Sequence, residues 1–136
     1  MPGTIPLEIV TPTRVLYTGD VEMFRAPGTL GSFQVFPRHL PFMTTLEIGQ
    51  IDIRLPDGTQ RAIATSGGFV EVLRRGITVL AETAEFAEDI DAERAERARQ
   101  RAFERLQAHE EDTDRTRAEL ALARAMNRLK VAKRGH

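Results

Sequence analysis

The hydrophobic pattern of this chain changes period once, near Glu88, and that change limits the architecture more than any other feature. Before it, apolar residues alternate. In QIDIRL, Ile51, Ile53 and Leu55 fall on one side and Asp52 and Arg54 on the other, the pattern of a strand buried on one face. After it, apolar residues recur every three or four positions. Ala118, Leu122, Ala125, Leu129 and Ala132 form one such stripe, and Ala95, Ala98, Ala102 and Leu106 form another, which is helical spacing. Charge shifts at the same place. Met1 to Glu88 carries 7 basic and 10 acidic residues, while Asp89 to His136 carries 12 and 10. The chain therefore divides into residues 1–87, made of strands, and residues 88–136, made of helices.

Within the first unit, LEIVTP, FQVF, QIDIRL, QRAIAT, FVEVL and ITVLAET read as strands. Pro56 to Thr59, a Pro-Asp-Gly turn, joins one pair into a hairpin, and Arg74 to Gly76 joins another. Many short strands with turns between them predict an antiparallel β-sandwich or flattened barrel. In the second unit a polar link, His109 to Asp114, separates the two helical stripes, so the helices should fold as an antiparallel hairpin. Their common seam is mostly alanine. At about 25 cal/mol per Å² of buried apolar surface, such a seam holds weakly, and the hairpin should detach at modest cost.

Several functional classes are disfavoured. There is no cysteine, hence no disulfide or thiolate metal site. A net charge of -1 does not suit a nucleic-acid binder. No apolar run reaches the roughly 20 residues of a membrane helix, so direct membrane insertion is not expected. MPGTIPLEIV lacks the basic and apolar regions of a signal peptide. His39, His109 and His136 stand apart from any second ligand at metal spacing. Ser66 to Phe69, SGGF, is neither a nucleophile elbow nor a phosphate-binding P-loop, and Gly67 and Gly68 read as a sharp turn or bulge. The residues point to no catalytic group, no metal and no required cofactor.

Three stretches remain. In AEDIDAERA, Asp91 suits a helix N-cap, with Ile90 before it, Ala95 one turn on, and Glu93 favourably placed in the first turn. Arg94 does not suit that position, where a cation is unfavourable by a few tenths of a kcal/mol, unless an acid pairs with it. Beyond Glu119 no acidic residue occurs, and Arg124, Arg128, Lys130, Lys133 and Arg134 follow. The helix dipole accounts for part of that run. Pro37, Arg38, His39, Leu40 and Pro41 form a stiff surface loop.

GSFQVFPRHLPFMT, ATSGGFVEV, EDIDAERA and RAELALARAMNRLKVA, taken in order, resemble the epsilon subunit of bacterial F-type ATP synthases over nearly the whole chain. The resemblance implies a β-sandwich followed by a two-helix hairpin. It implies a non-catalytic rotor subunit of the central stalk, peripheral on the cytoplasmic face of the plasma membrane. The sandwich would hold the gamma subunit and rest on the c-ring, with Ser32, Pro37, Arg38 and His39 at the ring. Ser32 stands where the family often has an acid, and Gln34 where a small residue is usual. The hairpin would restrain ATP hydrolysis by extending into the alpha/beta head, its basic helix (Arg124, Arg128, Lys130, Lys133, Arg134) against acidic segments there. Ile90, Asp91, Arg94 and Ala95 match the family's I/L-D-x-x-R-A motif for ATP, with Arg124 and Arg128 as further arginines and Glu85 and Arg101 also aligned. ATP would then be a regulatory ligand of the compact form. An alternative from a different class is a free-standing ATP-binding sensor module that uses the hairpin alone, and binding to gamma separates the two.

Overall fold

A computed structural model of the chain describes residues 3–108 and 112–135. Ten strands lead into two helices: β1 (Ile5–Thr11), β2 (Arg14–Val21), β3 (Met23–Gly28), β4 (Gly31–Val35), β5 (Phe42–Leu46), β6 (Gly49–Arg54), β7 (Gln60–Thr65), β8 (Gly68–Leu73), β9 (Gly76–Ala81) and β10 (Ala84–Phe86), then a 3-10 turn (Ala87–Asp89), α1 (Ala92–Gln107) and α2 (Asp112–Gly135). The strands pair in the order β10-β7-β6-β3-β5-β8-β9-β1-β2, with β4 beside β3. Every pair is antiparallel except β1 with β9. Arg14 at the start of β2 reaches the Ala84 carbonyl at the start of β10, so the two ends of the pairing path meet and the sheet comes close to closing. This is the expected flattened barrel.

Local chemistry explains the hairpins. Between β6 and β7, the Asp57 carboxylate accepts from the Thr59 amide at 2.9 Å, and Gly58 takes φ 88°, a value that excludes most side chains. The register Ile51↔Ile63 and Ile53↔Arg61 follows, leaving Ile51 and Ile53 fully buried. At the start of β8, Gly68 has φ 144°, and a Cβ there would run into the Leu80 carbonyl. Gly67 and Gly68 thus serve backbone geometry.

Two cores result. The larger is lined only by residues between Ile5 and Phe86, with Phe24, Ile9, Val70 and Val79 fully buried. The smaller joins Ala64 of β7, Ala87 and Ile90 to Val131 and Ala132 of α2. Ile90 precedes α1 and Val131 lies near the end of α2, so the helices run antiparallel and lie folded onto the sheet. Ala95 and Ala102 of α1, with Ala118, Ala125 and Ala132 of α2, are buried at intervals of seven residues. The alanine seam is as expected. Of the expected polar link, residues 109–111 lie outside the described residues, and 112–114 belong to α2. Neither helix is long and apolar enough to cross a membrane.

Candidate functional site

A cavity of about 580 Å³ opens where the sandwich meets the hairpin, a size typical of small-molecule sites. Four segments build it. The β1–β2 turn, residues 11–14, forms one wall. Glu82 to Glu85, which run into the first residues of β10, form another. Asp89, Ile90 and Asp91 carry the chain over to α1, which contributes Arg94, Ala95, Ala98 and Arg101. Arg128 closes it from α2.

The helix start is both a cap and a wall of this cavity. Asp91 has extended backbone angles, and its Oδ1 accepts from the Arg94 amide at 3.1 Å. Its carbonyl accepts from the Ala95 amide at 3.0 Å. Capping therefore explains Asp91, and burial explains Ile90 and Ala95, each 4% exposed. It does not explain Arg94. Among the described residues no carboxylate pairs with Arg94 or with Arg101, so no ion pair offsets the cost of a cation in the first turn. Arg128 differs. Its Nε donates to Glu85 Oε1 at 2.9 Å, with both side chains about one third exposed.

The electrostatics of the cavity are mixed. Arg14, Arg94, Arg101 and Arg128 line it together with Glu82, Glu85, Asp89 and Asp91, and of these Arg128 and Glu85 pair directly. Guanidinium groups suit phosphate oxygens. Carboxylates suit donors such as an exocyclic amine or a ribose hydroxyl. The cavity thus offers both kinds of group to a ligand.

Of the residues singled out in the sequence, Glu85, Ile90, Asp91, Arg94, Ala95, Arg101 and Arg128 come together here. Arg124 does not line this cavity. It borders an adjacent groove with Glu47, Leu120 and Lys130, and it meets Arg128 only in a small crevice beside Thr65 and Thr83. Lys130, Lys133 and Arg134 are exposed on α2. Arg14, Glu82 and Asp89 were not foreseen, because a β-turn and an irregular segment carry no periodic signal to place them.

Contacts that clamp the hairpin were also unforeseen. Asn127 Nδ2 of α2 donates to the Gly49 carbonyl at 2.8 Å and lies 3.4 Å from that of Thr65. Arg61 pairs with Glu88 and lies 3.6 Å from the centre of the Phe86 ring. Gly135 abuts the 3-10 turn so closely that a Cβ would sit 2.5 Å from the Glu88 nitrogen.

Ser32 lies in β4, and Pro37, Arg38 and His39 lie in the loop between β4 and β5. Ser32 and Arg38 are exposed, Pro37 and His39 half-buried, and Arg38 adopts φ 69°. His39 is not a free side chain: Nε2 lies 2.8 Å from the Leu73 carbonyl and Nδ1 3.2 Å from that of Phe36. It braces the loop against the β8–β9 hairpin. Leu30, Leu40 and Met43, in and beside these connections, are exposed.

Comparison with known proteins identifies this architecture. The β-sandwich domain of the ATP synthase delta/epsilon chain matches residues 4–87, and the long alpha-helix domain of the same chain matches residues 88–133. The chain belongs to the ATP synthase delta/epsilon chain family. Among its curated relatives, the ATP synthase epsilon chain of Roseiflexus sp. (strain RS-1) is 50% identical over 94 residues, 69% of this chain and 67% of that one. That of Desulfatibacillum aliphaticivorans is 43% identical over 110 residues, 81% of this chain and 78% of that one. A chain from the cryo-EM structure of the Euglena gracilis mitochondrial ATP synthase shares the fold with a TM-score of 0.83 at 21% identity, over 98% of this chain and 83% of that one.

Proposed function

We propose that this chain is the non-catalytic epsilon subunit of a bacterial ATP synthase rotor, joining the gamma subunit to the c-ring in the central stalk. It is peripheral at the cytoplasmic face of the plasma membrane. Its helical hairpin restrains ATP hydrolysis when it extends toward the alpha/beta head, and ATP in the cavity holds the hairpin down. One observation carries the regulatory part: the folded-down hairpin brings Arg94, Arg101 and Arg128 together with Glu85 in the lining of one ligand-sized cavity. That cavity exists only while the hairpin lies on the sandwich, so a ligand filling it favours the compact form by mass action. Exposed Leu30, Leu40 and Met43, with Ser32, Pro37 and Arg38 beside them, support a partner surface on the sandwich.

The test is a calorimetric titration of the whole chain with ATP, beside Arg94→Ala. Binding by the wild type in the micromolar to low-millimolar range, and its loss in the variant, is the expected result. No heat at tens of millimolar ATP would reduce the cavity to a packing gap. Reconstitution with gamma and the alpha/beta head tests the rest: the chain should bind gamma and lower ATPase activity, and deletion of α2 should relieve that inhibition.

A further inference from the structure

The β1–β2 turn is used neither by helix capping nor by the motif around Asp91. Thr11 and Arg14 form the last cross-strand pair, so Pro12 and Thr13 alone make the turn. The Thr11 hydroxyl donates to the Arg14 carbonyl at 3.3 Å and lies 3.4 Å from Thr13 Oγ1. Pro12 has a fixed φ. The turn is stiff, and it presents Arg14 to the cavity. Arg14 Nη2 donates to the Ala84 carbonyl over 3.4 Å, a long bond that engages one of five guanidinium donors. Among the described residues no carboxylate pairs with Arg14, although Glu82 and Asp89 line the same cavity. A solvated guanidinium with free donors on a rigid turn is prepared for an oxyanion.

Its position matters as much as its charge. Arg94, Arg101 and Arg128 all ride on the helices. Arg14 belongs to the sandwich.

We propose that Arg14 is a ligand-binding residue of this cavity, gripping phosphate oxygens from the sandwich side, so that bound nucleotide fastens the helical hairpin to the sandwich. This rests on the nucleotide reading above. A ligand held by the helices alone would leave with the hairpin when it lifted. A ligand also held by Arg14 must be released first, so occupancy and extension exclude each other.

The test titrates ATP into the whole chain as wild type, Arg14→Ala and Arg14→Lys, with ligand-free melting curves of each. Loss of one charge-assisted phosphate contact should weaken binding about tenfold in Arg14→Ala. Arg14→Lys should recover part of it, and the three ligand-free melting temperatures should agree. Wild-type affinity in Arg14→Ala overturns the proposal while leaving the nucleotide reading intact. Failure of the wild type to bind overturns both. Should Arg14→Ala melt early, the lysine variant decides: affinity above the alanine variant's upholds the charge contact, and affinity equal to it overturns it.

Discussion

At the residue scale, Asp91 has two separable duties. As N-cap it accepts from the Arg94 amide, and as a carboxylate it faces the cavity. Asp91→Ala should cost about 1 kcal/mol of hairpin stability, seen as earlier loss of helical signal on heating. Asp91→Ser keeps a capping oxygen and removes the charge, so it should stay close to wild type in melting yet change ATP affinity. Equal destabilisation by both would show that the cap is not what Asp91 contributes. Gly68 has one duty. Its φ of 144° and the Leu80 carbonyl beside it leave no place for a methyl group, and Gly68→Ala should destabilise the sandwich by about 2 kcal/mol or more in urea denaturation. At the tip of the β6–β7 hairpin, amide and hydroxyl bonds from Thr59 hold the Asp57 carboxyl below its ordinary value. A carboxyl lowered on folding contributes stability above its unfolded value, and that contribution is lost as pH falls through the lower folded value. Asp57→Asn should therefore flatten the acid limb of the stability–pH curve slightly and leave neutral stability little changed.

At the scale of elements, Asn127 is the hinge pin of the compact form. It spans two backbone carbonyls, on β6 and at the end of β7, and nothing else in α2 hydrogen-bonds to the sandwich backbone among the described residues. Asn127→Ala should remove roughly 1 kcal/mol of docking free energy. Amide exchange in α2 should then quicken about fivefold while exchange in β1 and β9 stays unchanged. Uniform acceleration across both units would mean that the hairpin does not open by itself. Asn127 also marks where the sequence stops being readable. Periodicity exposes faces, so the Ile51–Ile53 strand and the alanine seam were legible. The turn at Pro56–Thr59 was legible because its residues carry its backbone angles. β2 was not, since it lies at the edge of the sheet and buries little, with only Val21 fully covered. β3 was obscured by Pro27 and Gly28 at its end. Val131, a buried contact to the sheet, lies beside the alanine stripe and belongs to a second face of α2 that a single-stripe pattern cannot show. The candidate site divides in the same way. Residues carried by the helix-start motif were legible. Arg14, brought in by the meeting of distant strands, was not.

At the scale of the molecule, the two cores differ in kind. The sandwich core closes on itself between Ile5 and Phe86 and takes nothing from either helix. The second core joins Ala64, Ala87 and Ile90 to Val131 and Ala132 of α2, with two ion pairs among the described residues, Arg128 to Glu85 and Arg61 to Glu88, and the Asn127 contacts. Partly exposed ion pairs contribute little, and alanines bury little area each. The sandwich should therefore fold without the hairpin, whereas the hairpin without the sandwich is two alanine-seamed helices with little to pack on. A chain ending at Asp89 should show dispersed amide resonances that match the full chain's except near Gly49, Ala62, Ala64 and Glu85, the positions that α2 covers or contacts. It should unfold cooperatively in urea, with a smaller dependence on denaturant because less surface is exposed. A collapsed spectrum without dispersion would make the hairpin part of the fold. That outcome would be incompatible with a hairpin that leaves the sandwich to act elsewhere, because each departure would unfold the domain from which it departs.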